Sequence, residues 1–263
     1  MDFHLLPGMI DTHFHSAVMI RKGIDAEAVI GEAVEKGLAG GIDIGLEPGD
    51  FGERKKILGN FPSVLLSAGC YPSEAERNRV PDLLEALEEV LRTEKPAAVG
   101  EIGLDWHWDY GERSGQTGLF EGQIELANRY RLPVLIHNRE ADDDVAEILS
   151  RTPPEYGGIM HCFSSGYGEA VKFLDKGMYI SFAGNLTYKS NTRLRETAAK
   201  IPMDRILLET DSPYLSPRKK RGKPNHPGHI GYTYEVLAEV LDIKTERLVE
   251  ITGENFRRLF GTG

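Results

Sequence analysis

At 263 residues the chain is long enough to bury a large core, and its length fits one barrel-sized domain as well as two smaller ones. A formal net charge of −10 excludes a general nucleic-acid coat, because phosphate backbones would be repelled on average. No apolar stretch approaches the roughly 20 residues that span a bilayer, so no membrane partner is expected.

Two features of the sequence bear on location. The first residues carry no basic segment followed by an apolar core, so the N-terminus is not expected to be a signal peptide. Only two cysteines, Cys70 and Cys162, are present, which argues against a disulfide framework and fits a reducing compartment. The sequence therefore predicts a cytoplasmic protein.

Short apolar runs alternate with longer amphipathic segments along the whole chain. Most of the short runs are rich in Val, Ile and Leu with little polar alternation, which is typical of parallel strands covered on both faces. The predicted strands are residues 9–15, 40–46, 64–70, 97–104, 133–137, 158–162, 179–183 and 206–209. The predicted helices are residues 25–36, 82–92, 119–130, 142–149, 167–176, 193–200, 234–241 and 245–259.

This alternation is typical of the α/β class and fits two architectures, a closed (β/α)8 TIM barrel and a doubly wound open sheet. Polar residues recur at the C-terminal ends of non-adjacent strands. A barrel brings those ends together, whereas an open sheet spreads them apart. We therefore predict a (β/α)8 TIM barrel and, because no linker divides the chain, a single domain over residues 1–263.

Histidines form the first part of a predicted metal site. His13 and His15 lie two residues apart on the first predicted strand, so both imidazoles face the same side and can hold one cation. His137 and His161 end two further strands. A lone histidine is more often a hydrogen-bonded core or rim residue than a ligand, but the matching positions of these two favour a shared site.

Acidic residues complete the predicted set. Glu101 lies in an apolar strand, where an unpaired carboxylate is costly to bury, so we expect a cation or a basic partner; a salt bridge to an arginine is the alternative. Asp211 follows the last strand, which Pro213 stops. Glu209 and Asp11 are interpreted as residues that orient the ligands.

Three neighbours of these residues are harder to place. Asp105 lies two residues beyond Glu101, within reach of the site, and residues 106–108 that follow it are equally compatible with a folded-over lid. Cys162 follows His161, so we expect its side chain to point the other way, into the helix layer, as a small buried residue.

Basic residues near the site are expected to bind a phosphate-containing substrate. Arg139 lies two residues past His137 and would either hold a phosphate oxygen or form a plain ion pair. The loop of residues 216–227 carries five basic residues after Asp211, among them Arg218 and Lys223. Such a run is usually a solvated turn, and a nuclear-targeting signal is another interpretation, but its position favours phosphate capture.

Taken together, these segments resemble the TatD family of metal-dependent deoxyribonucleases, a branch of the metal-dependent hydrolase superfamily. The resemblance covers nearly the whole chain and is carried by the motifs IDTHFH (10–15), GEIGLD (100–105), PVLIH (133–137), HCFS (161–164) and LETDSP (208–213). It implies a TIM barrel with two divalent cations, phosphodiester hydrolysis, and typically 3′→5′ removal of nucleotides from single-stranded DNA. The implied ligands are His13, His15 and Asp211 on one cation, His137 and His161 on the other, and Glu101 between them.

Three positions depart from the family pattern. Tyr71 stands where the family generally has a histidine before a proline, His226 where a glutamate is usual, and Ser165 where a glycine is usual. None of them removes a predicted ligand. They leave open the contacts to phosphate and nucleotide, and with them the substrate.

The predicted chemistry is hydrolysis of a phosphodiester by a water activated between two divalent cations, with Glu101 and Asp211 as catalytic residues and Asp211 as the general base. The mixed nitrogen and oxygen ligands fit Mg, Mn, Zn or Co. One alternative is an amide, lactone or phosphotriester hydrolase of the same superfamily, although those often carry a carboxylated lysine where Glu101 stands. A second alternative is a non-catalytic metal-binding or nucleic-acid scaffold.

Overall fold

The computed structural model describes residues 2–261, and its eight parallel strands are hydrogen-bonded in chain order. The strands are Met9–Phe14 (β1), Leu38–Asp43 (β2), Val64–Ala68 (β3), Ala98–Asp105 (β4), Val134–Arg139 (β5), Gly158–Met160 (β6), Tyr179–Phe182 (β7) and Ile206–Leu208 (β8). The last strand returns to the first through a bridge between Ser212 and Phe14. The predicted (β/α)8 TIM barrel is therefore confirmed, and the open sheet is excluded.

Helices follow the strands and cover the barrel. Over residues 2–261 the α-helices are Ser16–Arg21 (α1), Ala26–Glu35 (α2), Phe51–Leu58 (α3), Glu74–Arg77 (α4), Val80–Glu94 (α5), Arg113–Tyr130 (α6), Asp142–Arg151 (α7), Tyr167–Leu174 (α8), Thr192–Ala198 (α9), Gly231–Leu241 (α10) and Thr245–Phe260 (α11). The sequence did not predict α1, α3 or α4, and α6 begins earlier than expected. Within that range no helix is long and apolar enough to cross a membrane.

The apolar core lies in two layers, as expected of a barrel surrounded by helices. Each strand contributes one residue to an inner cluster that also contains Phe256 of α11, and a larger cluster lies between the strands and the helices. The inner residues of the eight strands are Ile10, Ile42, Leu65, Ala98, Leu135, Ile159, Tyr179 and Leu207. The interior is therefore filled with side chains, which leaves the ends of the strands as the place for a site.

Two strands depart from regular pairing where they carry polar residues. The register shifts between Asp11 and Phe14 in β1 and between Val99 and Ile102 in β4. Such an irregularity changes which face a residue occupies. Glu101 consequently points to the inside of the barrel although it lies three residues after the inward-facing Ala98.

A close approach of β4 and β5 requires glycine at one position. Gly103 has a φ of +139°, and a Cβ atom there would lie 1.9 Å from the carbonyl oxygen of His137. Only glycine adopts this conformation without strain and leaves room for the neighbouring backbone. The contact brings Glu101 and Asp105, on either side of Gly103, close to His137.

Candidate metal centre

The six predicted ligands meet at the C-terminal end of the barrel. Glu101 lies within β4 and is buried, and His137 lies within β5. The other four lie at or just beyond the ends of strands: His13 and His15 at β1, His161 after β6, and Asp211 after β8. Since these strands surround the barrel axis, the side chains converge from several sides.

Glu101 lies between two pairs of imidazoles. Its Oε1 is 2.9 Å from His137 Nδ1 and 2.9 Å from His161 Nε2, and these two nitrogens are 3.2 Å apart. Its Oε2 is 3.5 Å from His13 Nε2 and 3.7 Å from His15 Nε2. Among residues 2–261 no arginine pairs with this carboxylate, so the alternative of a salt bridge to an arginine is not what the structure contains.

Asp211 closes one side of this arrangement. Its Oδ1 lies 3.5 Å from His15 Nε2 and 3.8 Å from His13 Nε2, and these two nitrogens are themselves 3.1 Å apart. The Asp211 side chain is 14% exposed, whereas that of Glu101 is 3% exposed. Asp211 is therefore the more accessible of the two carboxylates to a molecule in the cavity.

The chemistry of the donors fits divalent cations. Burial alone would raise the pKa of Glu101, but the charge of His161 and hydrogen bonds with His13 and His137 hold it well below its usual range. An ionised carboxylate at this depth needs positive charge beside it. Imidazole nitrogens and carboxylate oxygens directed at common points are the ligands of Zn, Mn and Co sites, and bound cations would supply that charge.

Hydrogen bonds on the far side of the rings orient two of the histidines. His137 Nε2 lies 3.1 Å from Asp105 Oδ2, which leaves Nδ1 directed at Glu101. His161 Nδ1 lies 3.2 Å from Glu209 Oε1, which leaves Nε2 directed at Glu101. Such partners fix the tautomer and the orientation of metal-binding histidines.

Tyr71 adds a hydroxyl to this network. Its oxygen donates to Asp105 Oδ2 at 3.1 Å and lies 3.3 Å from His137 Nε2. Burial, with the nearby charges of Glu101 and Asp105, raises the pKa of Tyr71, so the hydroxyl keeps its proton. The tyrosine that departs from the family pattern thus lies against His137, a predicted ligand, and the carboxylate of Asp105 that orients it.

Asp11 acts on backbone and not on an imidazole. Its Oδ1 accepts from the backbone N–H groups of Thr210 and His13 at 2.8 and 3.3 Å, and its Oδ2 accepts from the Thr210 hydroxyl at 2.6 Å. The N–H of Asp211 in turn donates to the carbonyl of His13 at 2.8 Å. Asp11 therefore joins β1 to the segment after β8, which places His13 beside Asp211.

A cavity of about 640 Å³ opens above the centre. Its wall includes five of the six predicted ligands, while His13 is buried and does not belong to the wall; the five are His15, Glu101, His137, His161 and Asp211. The rest of the wall is mostly aromatic and polar, with two leucines. It consists of Leu46, Tyr71, Trp108, Tyr110, Asn138, Arg139, Cys162, Ser164, Asn185, Tyr214 and Leu215. A cavity of this composition can hold a polar ligand with an aromatic part.

The predicted substrate-binding residues lie in different places. Arg139 lines the cavity. Arg218 and Lys223 are exposed and are not part of the cavity wall, and their neighbours Lys219 and Lys220 pair with Glu235 and Asp2. A role for Arg218 and Lys223 in binding substrate therefore stays a prediction without support from proximity.

One sequence-based interpretation is corrected. Cys162 lines the cavity and does not point into the helix layer, because β6 ends at Met160 and Cys162 has a left-handed φ of 45°, so strand alternation no longer applies. Of residues 106–108, Trp108 belongs to the cavity wall, and a lid formed by this segment stays a prediction. Trp106 is held by Asp144 at 2.7 Å, and Trp108 stands at the cavity mouth with 52% exposure.

The two other departures from the family pattern lie outside the cavity wall. His226 is buried against Phe3 and His229, with ring centres 5.1 and 3.7 Å away. Ser165 donates a hydrogen bond to Asp142 at 2.9 Å. Tyr71 is therefore the departure that changes the surface a substrate meets.

Sequence reasoning missed the aromatic residues Tyr110 and Tyr214 and the amide Asn185 in the cavity wall. It also missed Arg54, which is fully buried beside the centre and pairs with Asp43 and Asp50. Tyr214 follows Asp211 closely, so its position in the chain was the available signal. Arg54 and Asn185 lie far in sequence from any predicted ligand.

Known proteins resemble this chain over nearly its whole length. A family model described as TatD related DNase matches residues 10–261. The chain is 35% identical to the uncharacterized metal-dependent hydrolase YabD of Bacillus subtilis, over 96% of this chain and 98% of YabD. It is 31% identical to the uncharacterized metal-dependent hydrolase YcfH of Escherichia coli, over 96% and 95% of the two chains.

Solved structures agree with this. YjjV, a TatD homologue from Escherichia coli, matches with a TM-score of 0.91 and 30% identity over 98% of this chain and 100% of YjjV. An organophosphorus hydrolase variant from Deinococcus radiodurans, 15% identical with a TM-score of 0.70 over 96% and 93% of the two chains, shares the fold. The chain belongs to the TatD family of metal-dependent hydrolases.

Proposed function

We propose that this hydrolase cleaves phosphodiester bonds of single-stranded DNA, using two divalent cations and removing nucleotides in the 3′→5′ direction. The observation that carries the proposal is the position of Glu101, whose two carboxylate oxygens each face a different pair of imidazoles. This arrangement offers two adjacent cation positions, as two-metal phosphodiesterases require. The description of the matching family as DNases supports the substrate class.

The ligands divide into two groups around that carboxylate. His13, His15 and Asp211 would hold one cation, His137 and His161 the other, and Glu101 lies between them. When bound, the cations supply Lewis acidity that stabilises the negative charge developing on the phosphate oxygens. Elemental analysis of the protein as purified would identify the resident cation among Mg, Mn, Zn and Co.

The residues of the chain carry the remaining tasks. Asp211 faces the cavity and would accept the proton of the water that attacks phosphorus. Arg139 lines the same cavity and would donate to a non-bridging phosphate oxygen, which orients the bond that breaks. The P–O bond to the leaving sugar oxygen would break as the bond from water forms, and the leaving oxygen would take up the proton that Asp211 accepted.

One observation weighs against the superfamily alternative. Amide, lactone and phosphotriester hydrolases often use a carboxylated lysine where Glu101 stands, and the described cavity wall contains no lysine. The likeness to the organophosphorus hydrolase is one of fold. A non-catalytic scaffold would need neither an accessible carboxylate nor an arginine in its cavity. This cavity has both, in Asp211 and Arg139.

The test is a cleavage assay on oligonucleotides. Protein loaded with each candidate metal and analysed for metal content is incubated with single-stranded DNA labelled at the 5′ end or the 3′ end. We expect a ladder on the 5′-labelled strand, early release of labelled mononucleotide from the 3′-labelled strand, and no cleavage with EDTA. Neutral ester and lactone substrates run in parallel. Hydrolysis of those alone would establish the alternative enzyme, and no turnover of any substrate by metal-loaded protein would favour the scaffold.

A further inference from the structure

The mouth of the cavity carries two exposed aromatic side chains. Trp108 is 52% exposed and Tyr214 is 43% exposed, and both belong to the cavity wall. Trp108 follows β4, and Tyr214 follows β8. In an eight-stranded barrel with strands in chain order, the fourth and eighth strands lie opposite each other. The two rings therefore flank the metal centre on opposite sides.

Each ring also lies beside a positive charge. The guanidinium carbon of Arg139 is 5.5 Å from the centre of the Trp108 ring, and the ammonium of Lys22 is 3.9 Å from the centre of the Tyr214 ring. Each pair combines a flat apolar surface with a cation, which are the two groups that recognise a base and its phosphate. In a protein with a net charge of −10, a polyanion needs such local cations.

Trp108 is held in place by the network of the metal centre. Asp105 Oδ1 accepts from the backbone N–H groups of His107 and Trp108 at 3.0 and 3.2 Å, while Asp105 Oδ2 lies 3.1 Å from His137 Nε2. The indole N–H of Trp106 donates to Asp144 at 2.7 Å. The backbone that carries the Trp108 ring is thus fixed before binding, which reduces the conformational freedom that is lost on binding.

Tyr214 is tied to the other side of the centre. Its backbone N–H donates to the carbonyl of Asp211 at 2.8 Å, and its ring lies edge-on to His15 with the ring centres 6.2 Å apart. The position of each ring is thus coupled to a different part of the metal centre. A ligand that spans both rings passes over the side chains of the candidate metal centre.

We propose that Trp108 and Tyr214 are the stacking residues for the two bases that flank the scissile phosphate, with Arg139 contacting that phosphate and Lys22 contacting the next phosphate of the strand. The inference rests on the proposed function and specifies its substrate as an unpaired strand, because a base inside a duplex presents no free face to a ring. Stacking does not depend on base identity, so cleavage is expected to have little sequence preference.

The experiment compares an intact single-stranded oligonucleotide with one of the same length whose residues lack bases. The proteins are the wild type, Trp108→Ala, Tyr214→Ala, the conservative Trp108→Phe and Tyr214→Phe, and Tyr156→Ala as a control. Tyr156 is similarly exposed, at 39%, and lies outside the cavity wall. Melting temperatures of all variants are measured, because the exposed rings are expected to contribute little to stability.

On the intact strand, each alanine variant is expected to raise KM roughly tenfold, and each phenylalanine variant to stay within about threefold of the wild type. On the base-free strand, the KM of the wild type itself rises, and its difference from Trp108→Ala and Tyr214→Ala shrinks. Tyr156→Ala keeps the wild-type KM on both strands.

Two failures can be told apart. Cleavage by the wild type with the same KM on both strands, or with an unchanged KM in either alanine variant, overturns the two-sided stacking and leaves the phosphodiesterase in place. Absence of cleavage by the metal-loaded wild type on both strands overturns the proposed function and the inference with it.

Discussion

Two buried charged clusters lie side by side at the same end of the barrel. In one, the guanidinium of Arg54 lies 2.7 Å from Asp50 and 3.1 Å from Asp43, and it also donates to the carbonyls of Asp43 and Ser67. In the other, the carboxylates of Glu101 and Asp211 face only histidines. The first cluster contains a permanent cation, and the second does not.

This difference separates a structural cluster from a functional one. An arginine is always charged, and its N–H groups donate to the carboxylates and carbonyls around it. The Arg54 cluster therefore needs no cation from outside the protein. Imidazoles carry a charge only when protonated, so the centre around Glu101 gains its positive charge from protons or from metal ions. A buried cluster of carboxylates without a permanent positive charge is therefore the one expected to bind a cation.

The largest effect is expected from removing the acid at the centre. Glu101→Gln keeps the size of the side chain but removes the charge that both cation positions share, so we expect turnover of DNA to fall about 10⁴-fold. Activity and bound metal are measured together, the latter by elemental analysis. Retained turnover with two bound ions would show that Glu101 does not bridge them.

The next largest effect is expected in the Arg54 cluster. Arg54→Met leaves two buried carboxylates unpaired, and we expect a loss of about 3–5 kcal/mol in the free energy of unfolding, of similar size with and without EDTA. Urea unfolding gives this number. The matched control is Arg129→Met, which breaks an exposed pair with Glu88 and should cost about 1 kcal/mol or less. Equal losses in the two variants would contradict the structural role of Arg54.

Metal removal should act on one cluster only. Compared with protein saturated with metal, EDTA-treated wild type is expected to be less stable by about 3 kcal/mol. This loss corresponds to a melting temperature lower by about 6–12 °C. The Arg54 cluster holds its own cation and is not affected. Calorimetry of Glu101→Gln supplies the control, since this variant should lose most of the sensitivity to EDTA. A wild type that melts at the same temperature in both conditions would argue against metal at the centre.

The smallest effect comes from a third buried group, the neighbours His226 and His229. Burial lowers the pKa of His226 to about 4 and that of His229 to about 3, so both stay neutral in the folded protein. Unfolded histidine titrates near 6.5, so below that pH the unfolded chain binds more protons and stability falls as the pH falls towards 4. The expected loss at pH 5 is roughly 1–2 kcal/mol per histidine.

This prediction is tested by a difference between two proteins. The wild type and His229→Gln are unfolded in urea at pH 7 and pH 5 with EDTA present, so that the other titrating groups contribute equally to both. The substituted protein should lose less stability on acidification than the wild type. An identical loss in both would show that His229 does not titrate on unfolding.

Much of this architecture could be predicted from sequence because each strand has a strong local signal. Runs such as residues 133–137 are apolar up to a final polar residue. The sequence therefore indicates both the strand and the end at which a functional residue lies. The helix α3 was missed because its residues are mostly polar and its inward-facing Arg54 is an ion, not a hydrophobic residue. Local hydrophobicity does not reveal a helix that is held by buried charge.

The site shows the same division between local and tertiary information. The six predicted ligands could be named from their places in or just after apolar strands, and the structure brings them together. The orientation of Cys162 could not be predicted, because it depends on where β6 stops and on a left-handed backbone. The distance of Arg218 and Lys223 from the cavity could not be predicted either, because the path of a long loop is set by contacts such as that of Lys220 with Asp2.

The junction between β1 and the segment after β8 has a consequence for assembly. His13 and His15 come from one end of the chain and Asp211 comes from near the other, and the backbone hydrogen bonds of His13 with Asp211 and of His15 with Ser212 join them. The three side chains predicted to hold one cation are therefore all present only after residue 211 has been synthesised. If they bind that cation, its capture follows the closure of the ring of strands.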